Sequence, residues 1–214
     1  MDFTIVIRTF KDRLDCALDL KHICDSYLNK KNETLIADTR NQTTFYSRAF
    51  CVVLADLLVN ISTKYVLLLE DDMVISKKTN AYLEKALQFN IDSIWLSVYS
   101  QKMIDTSFPI SSYLRGLKTK EKGIHYSGAI LVKTSFLKEY LNDFFLNHLH
   151  IEEVFFDVSF SKYLEKNLGF IPFKEGFFAT SKSIKSSLED RKKEKNIVSF
   201  IAEDPFFDFS DHYV

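Results

Sequence analysis

"KYVLLLEDDM", Lys64 to Met73, runs from a basic residue through five apolar ones into three consecutive acids. An apolar run that short reads as a strand buried on both faces of a sheet. Such strands normally end in a turn, so Glu70, Asp71 and Asp72 side by side at the strand end need a physical reason. Three adjacent carboxylates repel one another, and the repulsion is tolerated when a cation is present. Hard oxygen ligands suit Mg²⁺ or Mn²⁺, often bound through one or two carboxylates while a substrate's phosphates complete the shell. A solvated acidic turn is the plainer alternative.

Outward from this strand the chain alternates strand-like and helix-like segments. "FTIVI" (3–7) reads as a first strand, and "RLDCALDLKHICDSYL" (13–28) as a helix with Leu14, Ala17, Leu18, Cys24, Tyr27 and Leu28 near one stripe. "ETLIAD" (33–38) is a second strand, and 45–60 is apolar enough for a well-buried helix leading into "YVLLL". The helix "NAYLEKALQF", the strand "SIWLSVY" (93–99) and a polar loop over about 100–123 follow. "HYSGAILV" (125–132) resumes the sheet, followed by the helices "SFLKEYLNDFFL" and "EEVFFDVSFSKYLEKNLG", the second ending at Gly169. "FIPF" (170–173) is a last short strand.

This order predicts an α/β fold, a mostly parallel central sheet with helices on both faces. In such sheets ligands bind outside the carboxyl ends of the strands. Three features fall there: Arg8 and Thr9 after the first strand, Asp38 after the second, and the acidic triplet after the third.

Composition narrows the classes. At 214 residues one domain is the simplest expectation. Hydrophobic residues are 46% and charged residues 27%, while Phe and Tyr far outnumber Gly and Pro, which argues for a large core without long disordered segments. A formal charge of −1 argues against a protein wholly devoted to gripping phosphate backbones, without excluding a local basic face. No basic-then-apolar leader opens the chain, and nothing approaches the ~18 uninterrupted apolar residues of a membrane span. Cys16, Cys24 and Cys51 form no CxxC pair; free thiols packed in a core, in a reducing cytoplasm, are the expectation.

With "LEDD" after an apolar strand, the sequence resembles the GT-A fold nucleotide-sugar-dependent glycosyltransferases (family 2-like), as an "EDD" variant of their "DxD" motif. The resemblance covers most of the chain in order. "TIVIRTFKDR" is similar to their opening strand and turn, and "LIADTRN" to their second strand with its nucleobase-side Asp. "YSRAFCVVLADLLVNISTKYVLLLEDDM" resembles the block ending in the motif, "YSGAILV" the glycine-containing segment, and "FFDVSFSKYL" the helix carrying the catalytic acid.

The resemblance implies a Rossmann-like GT-A domain over 1–214, with a nucleotide-sugar-binding half (1–100) and an acceptor-binding and catalytic half (101–214). It implies Asp72 as direct ligand of Mn²⁺ or Mg²⁺, with Glu70 and Asp71 on the ribose or metal-bound waters, Glu70 also being a possible metal contact. Asp38 would bind the base or ribose, Arg8, Thr9 and Arg13 would line the nucleotide pocket, and Arg48 would meet the base or a phosphate. For Asp38 a turn-forming role stays open, and for Arg48 a helix-surface charge.

Asp157 would be the general base that takes the acceptor hydroxyl's proton in an inverting transfer. Phe156 stands where the family's first acid usually sits, so Glu152 or Glu153 one turn earlier could supply the base instead. A first-turn acid favoured by the helix dipole is the structural alternative for Asp157. Gly128 would admit donor or acceptor backbone closely, with a strand bulge as rival. His212 would be a late metal ligand, a role Asp211 or Asp208 would fill equally.

Two basic stretches, "RGLKTKEKG" (115–123) and "KSIKSSLEDRKKEK" (182–195), read as solvated faces, as loops over the donor, or as a grip on a polyanionic acceptor. The expected donor is a nucleoside-diphosphate sugar, a UDP-sugar foremost, and the acceptor a glycan, a small molecule or hydroxymethylated DNA. The expected setting is the cytoplasm of a bacterium or virus-infected host cell. A non-catalytic nucleotide- or glycan-binding module of the same fold is the alternative. A sugar nucleotidyltransferase ranks lower, because "RTFKDRLD" lacks the glycine-rich loop that holds a triphosphate.

Overall fold

The computed structural model describes residues 2–10, 13–28, 33–39, 46–76, 79–88, 92–96, 128–148, 156, 159–160, 162–163, 171–172, 178–180 and 212–213. At its centre the quoted apolar run is β3 (Tyr65–Glu70), whose first five residues are all buried. It lies between β1 (Phe3–Thr9) and β6 (Ala129–Lys133) in a six-stranded sheet of order β2-β1-β3-β6-β5-β7. The remaining members are β2 (Thr34–Asp38), β5 (Ser93–Trp95) and β7 (Ile171–Pro172).

Pairing is parallel for β1 with β2, β1 with β3 and β5 with β7, while β6 runs antiparallel to both neighbours. The sheet is therefore mostly parallel, as the alternating pattern predicts, with one reversed strand near its middle. That strand comes from the second half of the chain and pairs with β3 of the first, so both halves share one sheet.

The two-residue period of the strands sorts the core into two layers. Val6, Val66, Leu68, Ile130 and Val132 face α2 (Tyr46–Asn60), through Phe50, Cys51, Leu54 and Leu58, and a helix over Thr134–Asn147 called α4 below. Phe3, Ile5, Ile7, Tyr65, Leu67, Leu69, Ala129 and Leu131 face α1 (Leu14–Ile23) and α3 (Thr79–Gln88). Helices thus cover both faces. The first helix is not regular to its end: Cys24–Leu28 form a π-helical turn that buries Cys24 and Leu28.

β4 (Met73–Ser76) starts directly after the acids and forms a second, three-stranded sheet between β8 (Phe178–Thr180) and β9 (His212–Tyr213). The sequence pattern did not reveal β4. Its partners lie over a hundred residues downstream, so no local periodicity marks it.

Phe156, Ser159–Phe160 and Lys162–Tyr163 are helical, within the helix expected over 152–169. Phe156 and Phe160 are buried against Tyr140 of α4, with ring centroids 5.7 and 4.7 Å away, and the Tyr140 hydroxyl meets Ser159 Oγ at 2.7 Å. All three cysteines are free thiols; Cys24 and Cys51 are buried and Cys16 half-buried. Among the described residues no helix is long and apolar enough to cross a membrane.

Candidate active site

The parallel register of β1 and β3 builds the site. Arg8 lies opposite Glu70, so both side chains leave the sheet on the same face and form an ion pair. That face also carries Phe50 and Phe156. The Arg8 guanidinium carbon lies 5.2 Å from the Phe50 ring centroid and 6.0 Å from that of Phe156. The rings meet edge to face at 4.9 Å, making an aromatic shelf under the cation. Such contacts contribute about 0.5–2 kcal/mol, more as water is excluded. Phe156, where the resemblance expects an acid, is a core residue supporting Arg8.

Thr9, the next residue, points to the opposite face and is fully buried. Its hydroxyl donates to Asp71 Oδ2 at 2.7 Å, and the Asp71 backbone N–H donates to the Arg8 carbonyl at 3.1 Å. Asp71 and Asp72 form the two-residue turn between β3 and β4. The Glu70 N–H donates to the Gly128 carbonyl at 2.9 Å, which ties the triplet to the entry of β6. Gly128 therefore stands beside the triplet, as a backbone partner of β3.

Arg13 precedes α1 and reaches the same turn. Its Nη2 lies 2.6 Å from Asp71 Oδ1 and 3.1 Å from Asp72 Oδ2, one nitrogen shared between two carboxylates. Those contacts are ion pairs in which a single nitrogen serves two acceptors. Nη2 and Nε of Arg13 and Oδ1 of Asp72 are buried without a hydrogen-bond partner. A buried polar group left so costs about 1–3 kcal/mol. Two guanidinium groups thus supply the positive charge that the triplet's repulsion demands, and the second does so imperfectly.

Electrostatics reflect this. Burial pushes the Asp72 carboxyl up to about 6, with Glu70 adding to the rise and Arg13 opposing it. Burial also raises Asp71, against the Thr9 hydrogen bond and Arg13. Burial alone would lower the Arg13 guanidinium, but Asp72 and Asp71 outweigh it and leave it above its ordinary value.

Asp38 ends β2 opposite Thr9 in the β1–β2 register, half-buried at the same edge. Its neighbour Thr39, not singled out by sequence, donates its N–H and hydroxyl to the Thr9 carbonyl at 3.1 and 2.9 Å. Arg48 is half-buried near the start of α2, one helical position pair before Phe50 of the shelf. The structure therefore brings Arg8, Thr9, Arg13, Glu70, Asp71 and Asp72 into direct contact and sets Asp38 and Gly128 beside them.

His212 lies on β9 opposite Ser76, four positions along β4 from Asp72. At ~3.3 Å per residue its backbone is roughly 13 Å from that of Asp72 along the strand. Asp157, Glu152, Glu153, Asp208, Asp211 and both basic stretches lie outside the described residues.

Among the described residues no three carboxylate, imidazole or thiol groups converge as a metal cage. Glu70 turns to Arg8 and Asp71 to Thr9 and Arg13. Asp72 Oδ1, buried and unpartnered, is a free hard-oxygen donor. This fits the single-carboxylate binding of Mg²⁺ or Mn²⁺, where phosphates and water fill the other positions.

No family model matches the chain, and no curated protein does either. Solved structures do. A glycosyltransferase involved in the glycosylation of the major capsid of PBCV-1 superposes with a TM-score of 0.53 at 12% identity, over 86% of this chain and 95% of the other. TarS residues 1–349 from S. aureus superposes with a TM-score of 0.52 at 16% identity, over 85% of this chain and 60% of the other. Identities this low speak for architecture alone, and on that ground the chain has a glycosyltransferase fold of the GT-A kind.

Proposed function

We propose that the protein is a metal-dependent glycosyltransferase that moves a sugar from a nucleoside-diphosphate donor, a UDP-sugar foremost, to an acceptor hydroxyl. One observation carries this reading. Two arginines and three carboxylates from β1, the start of α1 and β3 converge at the carboxyl edge of a parallel sheet, where such folds bind ligands. The fold agrees with it.

Asp72 would hold Mn²⁺ or Mg²⁺ through its unpartnered oxygen, with Glu70 as a further candidate ligand ahead of the more distant His212. The cation supplies Lewis-acid stabilisation of the departing diphosphate. Thr9 fixes Asp71, and Asp71 and Glu70 with Asp38 seat the nucleoside. Arg8, Arg13 and Arg48 offer charge to the phosphates or base. Gly128 leaves the triplet's flank open to the sugar.

Asp157, or Glu153 one turn earlier, takes the proton as the acceptor oxygen bonds to the anomeric carbon and the bond to the diphosphate breaks. This describes inversion of a hexosyl or pentosyl group onto a glycan, a small molecule or hydroxymethylated DNA. A cytoplasmic setting belongs to the same reading.

UDP is expected to raise the melting temperature only with Mn²⁺ or Mg²⁺ present, and Asp157→Asn to keep that shift while losing transfer. Calorimetry showing no metal-dependent nucleotide binding would sink the reading. A second reading rests on Phe156, whose burial in the aromatic cluster supports a binding module without turnover. Nucleotide binding without donor hydrolysis or transfer, across a panel of nucleotide sugars and acceptors, would favour it.

A further inference from the structure

Arg8 and Arg13 serve the same acidic triplet by different means. Arg8 is fixed three ways: opposite Glu70 in the strand register, ion-paired to it, and over the Phe50–Phe156 shelf. Arg13 is ion-paired but has neither the strand register nor the aromatic shelf. It enters from the segment before α1, caps that helix through no side-chain hydrogen bond, and spreads one nitrogen over two carboxylates. Asp71 does not depend on it, because Thr9 and the Arg8 carbonyl already hold that residue.

Among the described residues, three buried atoms without a well-formed hydrogen bond fall in this one contact, whereas those at Thr34, Asn80, Ser93 and His148 stand singly. Arg13 Nε has no acceptor, Nη2 is divided between two carboxylates, and Asp72 Oδ1 lacks a donor, although all three atoms are buried. Buried polar groups are normally paired, so a cluster of exceptions marks a place whose partners change. The missing partners differ in kind. Guanidinium N–H groups want a bidentate oxyanion, and a buried carboxylate oxygen wants a cation.

We propose that Arg13 is an exchangeable counter-ion: it pairs with Asp71 and Asp72 in one state, and in the other it moves to the donor's diphosphate while a divalent cation takes Asp72. This rests on the nucleotide-sugar reading above and adds how the site is loaded. Arg13 and the cation compete for Asp72, so the cation alone binds against a resident positive charge. A diphosphate draws Arg13 away, so nucleotide and cation each strengthen the other's binding, and by linkage to the same extent.

The test is calorimetry on the full chain with Mn²⁺ alone, UDP alone, and UDP at saturating Mn²⁺. Arg13→Gln removes the competing charge and the phosphate contact together. Mn²⁺ alone is expected to bind about tenfold tighter than to wild type, and UDP with Mn²⁺ about tenfold weaker. Arg13→Lys keeps the charge without the planar fork. It is expected to leave Mn²⁺ affinity near wild type and weaken only UDP, and it serves as the test if Arg13→Gln does not fold.

Metal-dependent UDP binding in wild type, with unchanged or weaker Mn²⁺ affinity in Arg13→Gln, would overturn the exchange and leave the functional reading standing. In Arg13→Lys, UDP affinity equal to wild type would do the same. Wild type that binds no UDP with Mn²⁺ would overturn both.

Discussion

The two edges of the central sheet are built from different chemistry. At the amino edge, hydroxyls close a neutral network. Thr63 donates to the Tyr65 carbonyl at 3.0 Å and meets the Thr4 hydroxyl at 2.9 Å, while Thr134 donates to the Thr63 carbonyl at 2.6 Å. Lys133 closes on Asp92 at 2.5 Å beside them. A cleft of about 460 Å³ opens at this edge, between Glu33, Leu35 and the Asn60–Thr63 turn. At the carboxyl edge, three carboxylates meet two guanidinium groups and leave buried atoms unpaired. The amino edge leaves the buried hydroxyls of Thr34 and Ser93 without a partner, but these are neutral groups. Unpaired charge, rather than volume, marks where a ligand has something to add.

The contrast can be broken most directly at Asp72. Asp72→Ala is expected to lower donor hydrolysis at least about a hundredfold while the protein stays folded, because it removes the free oxygen donor of the charged edge. Retained hydrolysis in a discontinuous assay for released nucleotide would mean that this edge is not where the donor phosphates go.

The second effect is on pH. The folded Asp72 carboxyl titrates at about 6, above the ~3.9 of an unfolded chain. The folded state therefore holds a proton that the unfolded state releases. The stability this supplies is fully present below about pH 4 and is lost as pH rises through 6, on the order of 1–3 kcal/mol. Asp72→Asn cannot ionise, so in EDTA its stability relative to wild type is expected to improve from pH 4.5 to pH 8. Urea denaturation showing a pH-independent difference would contradict the buried, crowded carboxylate.

A smaller change is expected at the amino edge. Thr63→Val removes two hydroxyl contacts and is expected to cost about 1 kcal/mol in urea denaturation, with UDP affinity unchanged. A loss of nucleotide binding there would erase the division between the edges. The smallest effect is expected from His212→Ala. Its backbone sits four positions from Asp72 along β4, so Mn²⁺ affinity by calorimetry should change less than about twofold. A tenfold loss would show that the imidazole reaches the ion after all.

Much of this was legible before folding. Apolar runs and helical stripes located β1, β2, β3, α1, α2, α3 and α4 within a few residues, because burial on a sheet face or helix stripe is a local constraint. The carboxyl-edge rule then placed Arg8, Thr9, Asp38 and the triplet together. Other features were not legible. β4 is four residues long and exists through pairing with β8 and β9. The reversed direction of β6 follows the chain's path, which side-chain periodicity does not encode. Leu18 and Tyr27 of the expected stripe lie exposed while Leu20 is buried, and the apolar pattern did not distinguish the π-helical turn at Cys24–Leu28.

The quoted decapeptide by itself determined a doubly buried strand that delivers three acids to one edge. It determined that a positive charge must answer them, since adjacent carboxylates held from water repel. Only the tertiary structure decided which charges answer. Strand register gave Glu70 to Arg8, the alternation of faces gave Asp71 to Thr9, and the approach of α1 gave Asp72 to Arg13. Those partners come from about sixty residues away in sequence. Coulomb attraction requires a counter-charge without naming it, and the packing of β1 and α1 against β3 makes the choice.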